Sequence, residues 1–237
     1  MILLKPSVVL EFGPTNEEAV RILEAAGRVC YKSEAKSDGS LAGAEAFIRR
    51  IIERGHESVL EHVGWTLRFI TDRGVTHELV RHRIGVAFSQ ESTRYVDQTA
   101  EGHGGHCQFI IPSGMFYRCA ITPGQYEKGH RAGVGLIGAD DFEFGWDWLE
   151  CRWFNVMLEA EEAYSIMRQQ GVSPQWARAV LPNSTKTEIV MTCNAREWRH
   201  ILKLRTSSAA HPQMREVMDV AQALLAERCP VLFGVTP

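Results

Sequence analysis

Arg81, His82 and Arg83 stand side by side, and Ser89, Gln90, Ser92, Thr93 and Arg94 follow within a dozen residues, with Glu91 the single acid among them. Guanidinium forks, hydroxyls and amides in one segment form a donor set suited to a phosphate and the edge of a heterocycle. A solvated helix face would mix acids among such cations, so anion binding stands beside the plainer reading of a surface cluster. The chain holds 20 Arg against 6 Lys, a skew that codon bias explains equally well wherever Arg does not cluster.

Other constellations are weaker. GHESVLEH at 55–62 offers His56, Glu57, Glu61 and His62, but a helical pair of metal ligands needs a spacing of four and these histidines are six apart. His103, His106, Cys107 and Cys119 match no common zinc spacing, and a polar loop accounts for them better. GVGLIG at 133–138 fits a dinucleotide fingerprint in letters only, since no strand precedes it and no helix follows. Asn194-Ala195-Arg196 falls where a strand meets a helix N-terminus. Free amides there suit a phosphate, and helix capping by Asn194 explains the same residues as well. His200 follows Arg196 by one helical turn, on the same face.

The elements that must position these groups follow from periodicity. SVVLE at 7–11 reads as a strand, and Thr15 with Glu18 has capping-box spacing for a helix facing inward through Val20, Leu23, Ala26 and Cys30. A second helix runs to about Arg54 on Phe47, Ile48, Ile51 and Ile52, with Gly55 as its stop. WTLRFI at 65–70 and KTEIVMTCN at 186–194 read as strands, QFIIP at 108–112 as a brief one. VTHELVRHR at 75–83 starts as a helix, and FSQESTRY at 88–95 reads as an irregular polar turn. A long helix at about 148–170 carries an inward stripe of Leu149, Trp153, Val156, Met157, Ala160, Tyr164 and Met167. Ser173-Pro174 opens a short helix, another starts near Arg196 on Trp198, Ile201 and Leu202, and the last spans about 212–228 on Met214, Val217, Met218, Ala221 and Leu225. Residues 113–147 form an irregular, Gly-rich loop region. No repeat or linker splits the chain, so residues 1–237 are expected to form one α+β domain, helix-rich around a small, mostly antiparallel sheet.

Composition narrows the function classes. With 237 residues, 45% hydrophobic and 23% charged, the chain is neither disordered nor fibrous. A net charge of -3 disfavours broad nucleic-acid binding, and no apolar run nears the roughly 20 residues of a membrane span. Six cysteines without a CxxC, and an N-terminus unlike a secretory signal, fit reduced thiols in a cytoplasmic protein.

Taken in order, GHESVLEHVGW at 55–65, HELVRHR at 77–83, SQESTRY at 89–95, ARAVLPNSTKTEIVMTCNAREWRHILKLR at 177–205 and AHPQMREV at 210–217 resemble the flavin-dependent thymidylate synthase family. The block 177–217 is the more specific part, joining Arg178, Asn194, Arg196, His200, Arg205 and His211 at the family's spacing. Two departures stand out. Eight residues, Ile84 through Glu91, separate RHR from Ser92 where the family usually has seven, and 113–147 is longer and richer in Gly than expected.

The resemblance implies an FAD-dependent methyltransferase that converts dUMP to dTMP, with methylenetetrahydrofolate as carbon donor and NADPH reducing the flavin. It implies a homotetramer whose sites are built from several subunits. By motif position, FAD is expected at Ser58, Arg81, His82, Arg83, Ile84, Gln90, Asn194, Ala195, Arg196 and His200. dUMP is expected at Glu78, Leu79, Val80, Arg81, Gln90, Glu91, Ser92, Thr93, Arg94, Arg178 and Arg205, with Arg205 also catalytic, stabilising charge on the ionising pyrimidine. Arg205 lies nine residues beyond Arg196, about half a turn away in direction on an ideal helix. The resemblance therefore calls for a helix that ends before Arg205, or for a site shared with a neighbouring subunit. Ser92 is read as a polarising residue, and no cysteine is needed as nucleophile because reduced flavin supplies hydride. Two rivals remain: a nucleotide sensor without flavin, and a metal hydrolase using His56, His62, His103 and His106.

Overall fold

A computed structural model describes residues 1–114 and 148–234. Most of the Gly-rich region expected at 113–147 therefore lies outside the described residues, as do GVGLIG and Cys119.

The described elements are α+β. In chain order they are β1 (Ile2–Leu4), β2 (Ser7–Phe12), α1 (Asn16–Tyr31), α2 (Leu41–Glu53), β3 (Gly64–Asp72), α3 (Arg73–Leu79), β4 (Val86–Gln90), β5 (Gln108–Ile110), α4 (Trp148–Gln169), α5 (Pro174–Ala177), β6 (Lys186–Asn194), α6 (Ala195–Arg205), α7 (Pro212–Arg228) and α8 (Pro230–Phe233). A 3-10 turn at Glu57–His62 precedes β3. The main sheet has the order β2-β3-β6-β4. The Ala195 amide donates to the Val63 carbonyl at 2.9 Å, while the Thr66 and Thr192 hydroxyls meet at 2.9 Å. These two pairings advance in opposite directions along the chain, so β3 and β6 are antiparallel. A separate pair, β1 with β5, is parallel, with Leu3 opposite Phe109.

Contacts divide the fold into two compact units whose segments alternate along the chain. The first comprises Met1–Pro6, Ile70–His77 and Gln90–Glu188, and the second Ser7–Phe69, Glu78–Ser89 and Ile189–Pro237. The one-domain expectation thus meets two units that no single cut in the sequence would separate.

In the second unit the local signals hold. Thr15 caps α1 in a complete capping box with Glu18. Its buried face is Ala19, Val20, Leu23, Glu24, Gly27 and Arg28, while Cys30 is exposed. Cys30 lies ten residues past Val20, about 80° off that face, which is why it points away. The tandem Glu24 and Arg28 are buried as an ion pair at 2.6 Å. Trp65 and Trp198 are fully buried, and each indole N–H is satisfied: Trp65 donates to the Pro14 carbonyl at 3.1 Å, Trp198 to that of Trp65 at 3.0 Å. At Gly64 any Cβ would stand 2.8 Å from the Cys193 carbonyl oxygen, so only glycine lets β3 approach β6 there.

In the first unit, Leu3, Cys107, Phe109, Cys151, Phe154, Met157, Ala160, Tyr164 and Ala177 form the core. The α4 stripe is narrower than expected. Trp153 and Met167 pack only in part, and Leu149 (61% exposed) and Val156 (49%) face solvent. These last two are seven residues apart and share a face of their own.

FSQESTRY is not wholly irregular: its first residues extend β4, and the Glu91 amide bonds the Glu188 carbonyl at 2.9 Å. Partial burial at Val86, Phe88 and Gln90, alternating with exposed Ala87 and Ser89, is the period of a strand. Gly85, at φ +68, makes the turn into it.

Candidate active site

The expected residues fall into two clusters, one in each unit. In the second unit, α3 ends at Leu79 and the chain turns so that His82 is buried, whereas Arg81, Arg83 and Ile84 are exposed. α6 brings Arg205 to the same place. Its guanidinium donates through Nε to His82 Nε2 at 3.0 Å, through Nη1 to Glu78 Oε2 at 2.9 Å, and through Nη2 to the Glu78 carbonyl at 3.1 Å. Three of the five N–H groups of an arginine are thereby used, leaving one on each terminal nitrogen. A guanidinium held this way still has donors for a ligand.

His82 is neutral in this setting. Burial first, then the Arg205 guanidinium and the neighbouring His200, push its imidazole down to about 4. Because Nε2 accepts, the proton resides on Nδ1, which lies 3.9 Å from Glu197 Oε1. Burial raises the Glu197 carboxyl, against the pull of His200 and Arg196. The His200 ring lies 6.5 Å from that of His82, edge to face.

The helix does not end before Arg205, as one arrangement required. α6 includes Arg205, and Thr206 then closes it, its hydroxyl donating to the Leu202 carbonyl at 2.8 Å. Arg196 faces elsewhere, bound to Glu61 at 2.6 Å. Asn194 is a true N-cap whose side chain accepts from the Glu197 amide at 2.9 Å. Ser58 is exposed within the 3-10 turn.

In the first unit, Gln90 Nε2 donates to Thr76 Oγ1 at 3.0 Å and Thr187 Oγ1 at 3.3 Å, and Arg178 Nη1 donates to Thr93 Oγ1 at 3.3 Å. Ser92 is half-buried, and the Arg94 guanidinium lies 5.4 Å above the exposed Tyr95 ring. Glu91 is tied to the buried Lys186 at 3.1 Å, and Lys186 also binds Glu188 at 2.6 Å. Burial first, then Arg178, hold the Arg73 guanidinium below its ordinary range, with Glu91 opposing.

Sequence reading missed Glu197, Lys186 and Arg73. Asn194-x-x-Glu197 has capping spacing and could have marked Glu197, and Lys186-x-Glu188 places both side chains on one strand face. Arg73 carried no signal. Two other histidines have partners: His56 Nδ1 bonds the Tyr31 hydroxyl, and His106 Nδ1 contacts Glu161 at 3.1 Å. Among the described residues no three His, Cys, Asp or Glu side chains gather as a metal site. Cys107, Cys193 and Cys229 are buried, which raises all three thiols, Cys107 and Cys229 to about 12.

An exposed Arg pair flanking a buried acceptor, with an Asn-capped strand-to-helix junction, offers groups whose chemistry suits a phosphate. The family described as thymidylate synthase complementing protein matches residues 14–231, and the chain belongs to it, the flavin-dependent thymidylate synthases. Flavin-dependent thymidylate synthases from Corynebacterium aurimucosum and Corynebacterium efficiens are 35% and 36% identical over 226 and 218 residues, covering 93% and 91% of this chain and 80% and 79% of theirs. The UMP/dUMP methylase PolB from Streptomyces cacaoi, solved with 5-Br dUMP, superimposes with a TM-score of 0.70 at 26% identity over 100% of both chains. With 5-Br UMP the score is 0.69 at 25% identity, covering 98% of this chain and 94% of that one.

Proposed function

We propose that this protein methylates dUMP to dTMP, taking the carbon from methylenetetrahydrofolate and using FAD reduced by NADPH. The observation that carries the reading is the Arg205 fork, fixed on three sides with two donors to offer. A pyrimidine edge that loses its N3 proton presents adjacent acceptors with growing negative charge, and two fixed donors stabilise that charge as it develops. The residues fit FAD as well. Exposed Arg81 and Arg83 suit a diphosphate, the 85% exposed Ile84 beside them suits a flat ring, and Ser58, His82, Gln90, Asn194, Ala195, Arg196 and His200 complete the set assigned to it. When bound, the flavin supplies the hydride.

Arg178, Arg94, Ser92 and Thr93, with Gln90 and Glu91, are assigned to dUMP, and the two cations suit its 5′-phosphate. Glu78, Leu79, Val80 and Arg81 complete that set. The assembly is read as a homotetramer with sites built from several chains, so the two clusters need not serve one nucleotide from one chain. Exposed Leu149 and Val156 on α4 support self-association. A second reading, UMP as an additional substrate, is favoured by the structural neighbour crystallised with 5-Br UMP.

The test is to purify the protein, record the flavin band at about 450 nm, and follow deuterium from labelled NADPH or solvent into dTMP. Bound flavin with label in the new methyl group is expected. A colourless protein that binds dUMP without turning it over would favour the nucleotide sensor, and activity lost to chelators the hydrolase.

A further inference from the structure

Glu91 is the one acid in a segment otherwise built of donors, and it stands directly before Ser92, Thr93 and Arg94. A carboxylate there repels a phosphate and competes with it for the same arginines unless it is neutralised. The fold turns it away. Consecutive residues of an extended chain point to opposite faces. The Gln90 side chain accordingly meets Thr187 at 3.3 Å, while that of Glu91 goes to Lys186, on the other face of β6. Lys186 Nζ donates to Glu91 Oε2 at 3.1 Å and to Glu188 Oε1 at 2.6 Å, and Gln98 Nε2 donates to Glu91 Oε1 at 3.3 Å. Both carboxylate oxygens are thus engaged, by partners that are themselves buried. The Gln98 backbone amide donates in turn to the hydroxyl of the buried Tyr164 at 3.2 Å, tying the end of the 91–98 segment to α4.

We propose that Lys186 is a positioning residue for nucleotide binding: it holds the Glu91 carboxylate inside its unit, off the arginines assigned to dUMP, so that residues 92–94 and Arg178 offer the 5′-phosphate donors only. The inference rests on the assignment of dUMP to these residues made above and deepens it. Arg73 shows how near the competing charges lie, since its guanidinium feels both Arg178 and Glu91. Without the ammonium, Glu91 keeps one hydrogen-bond donor, the neutral Gln98 amide, for a carboxylate whose side chain is 12% exposed. A buried charge stripped of its counter-ion is strongly destabilised where it stands. Glu91 then turns toward the cations of its own segment, Arg94 and the Arg178 bonded to Thr93, and occupies donors that a phosphate needs.

The test uses the FAD-loaded protein. Lys186→Met, close in length and uncharged, should weaken dUMP binding about tenfold or more and raise the dUMP KM alike, the scale of one charged hydrogen bond. FAD affinity, kcat at saturating dUMP and affinity for deoxyuridine, which lacks the phosphate, should stay within about threefold. Equal weakening of dUMP and deoxyuridine makes Lys186 a general support of the fold, and unchanged dUMP affinity leaves it no part in binding. Either result overturns the inference while the dUMP assignment stands. A wild type that binds no dUMP overturns the assignment itself, and the inference with it. Should Lys186→Met fail to fold, a crystal structure of the unmodified protein with FAD and dUMP decides. Glu91 on Lys186 with the phosphate on arginine supports the inference, and a Glu91 carboxylate bonded to the nucleotide or to those arginines overturns it.

Discussion

Arg196 and Arg205 leave the two ends of α6 in different directions, each bound to a different carboxylate, Glu61 and Glu78. One helix thus presents two separate cationic positions. Arg196 stands at the N-terminal end beside the Asn194 cap, and Arg205 at the last turn, beside His82.

Replacing Arg205 by lysine keeps the charge and removes the fork. FAD binding should survive, and oxidation of reduced flavin by dUMP plus methylenetetrahydrofolate should slow by about 10² or more, the scale of one transition-state donor. Stopped-flow absorbance of the flavin measures this, and a near-normal rate would move the charge-stabilising role to Arg178.

Cys193 should be dispensable. It is 3% exposed in β6, and burial raises its thiol far from the reactive range. Cys193→Ser should keep turnover within about tenfold. A folded, flavin-loaded variant with no activity would restore a thiol nucleophile.

Asn194 separates capping from ligand binding. Asn194→Ala should lower stability by about 1 kcal/mol through loss of the cap. Asn194→Asp keeps the cap but adds negative charge at a position assigned to FAD, so it should melt normally yet bind FAD more weakly. Unchanged FAD affinity in the aspartate variant would leave Asn194 a cap and nothing more.

His82 also sets a pH dependence. The unfolded chain protonates this ring near 6.5, while the folded ring resists until about 4. Between these values the unfolded state holds more protons, so stability falls as pH drops through that window and is insensitive to His82 above it. Thermal melts should show the wild type losing more stability than His82→Gln between pH 6.5 and 4.5. Equal losses would mean that the ring is not held neutral.

Assembly is tested by dilution. If sites draw on several chains, FAD and activity should disappear together as the protein is diluted, by mass action. A fully active monomer in light scattering would contradict the shared-site reading.

Local signals were legible and distant pairings were not. The Thr15–Glu18 box, the β6 alternation and the α7 face each depend on neighbours within four residues, and all three appear as expected. The bonds of Arg205 to His82 and Glu78 span 123 and 127 residues, and that of Glu91 to Lys186 spans 95, so only the folded chain reveals them. The α4 stripe misled because periodicity marks an apolar face without saying what covers it. Leu149 and Val156 are apolar and regularly spaced, yet exposed in the single chain. β4 was hidden by its polar residues, since Ser89 and Gln90 read as turn while the sheet accepts them.

The disposition of the thiols bears on how such an enzyme could be inhibited. Electrophilic warheads that trap a catalytic thiolate would meet, among the described cysteines, one exposed thiol, Cys30, in the last turn of α1. Under the proposed flavin route, selective compounds would draw their affinity from reversible shape and charge complementarity, and a thiol-directed drug aimed at cysteine-dependent thymidylate synthesis would leave that route untouched.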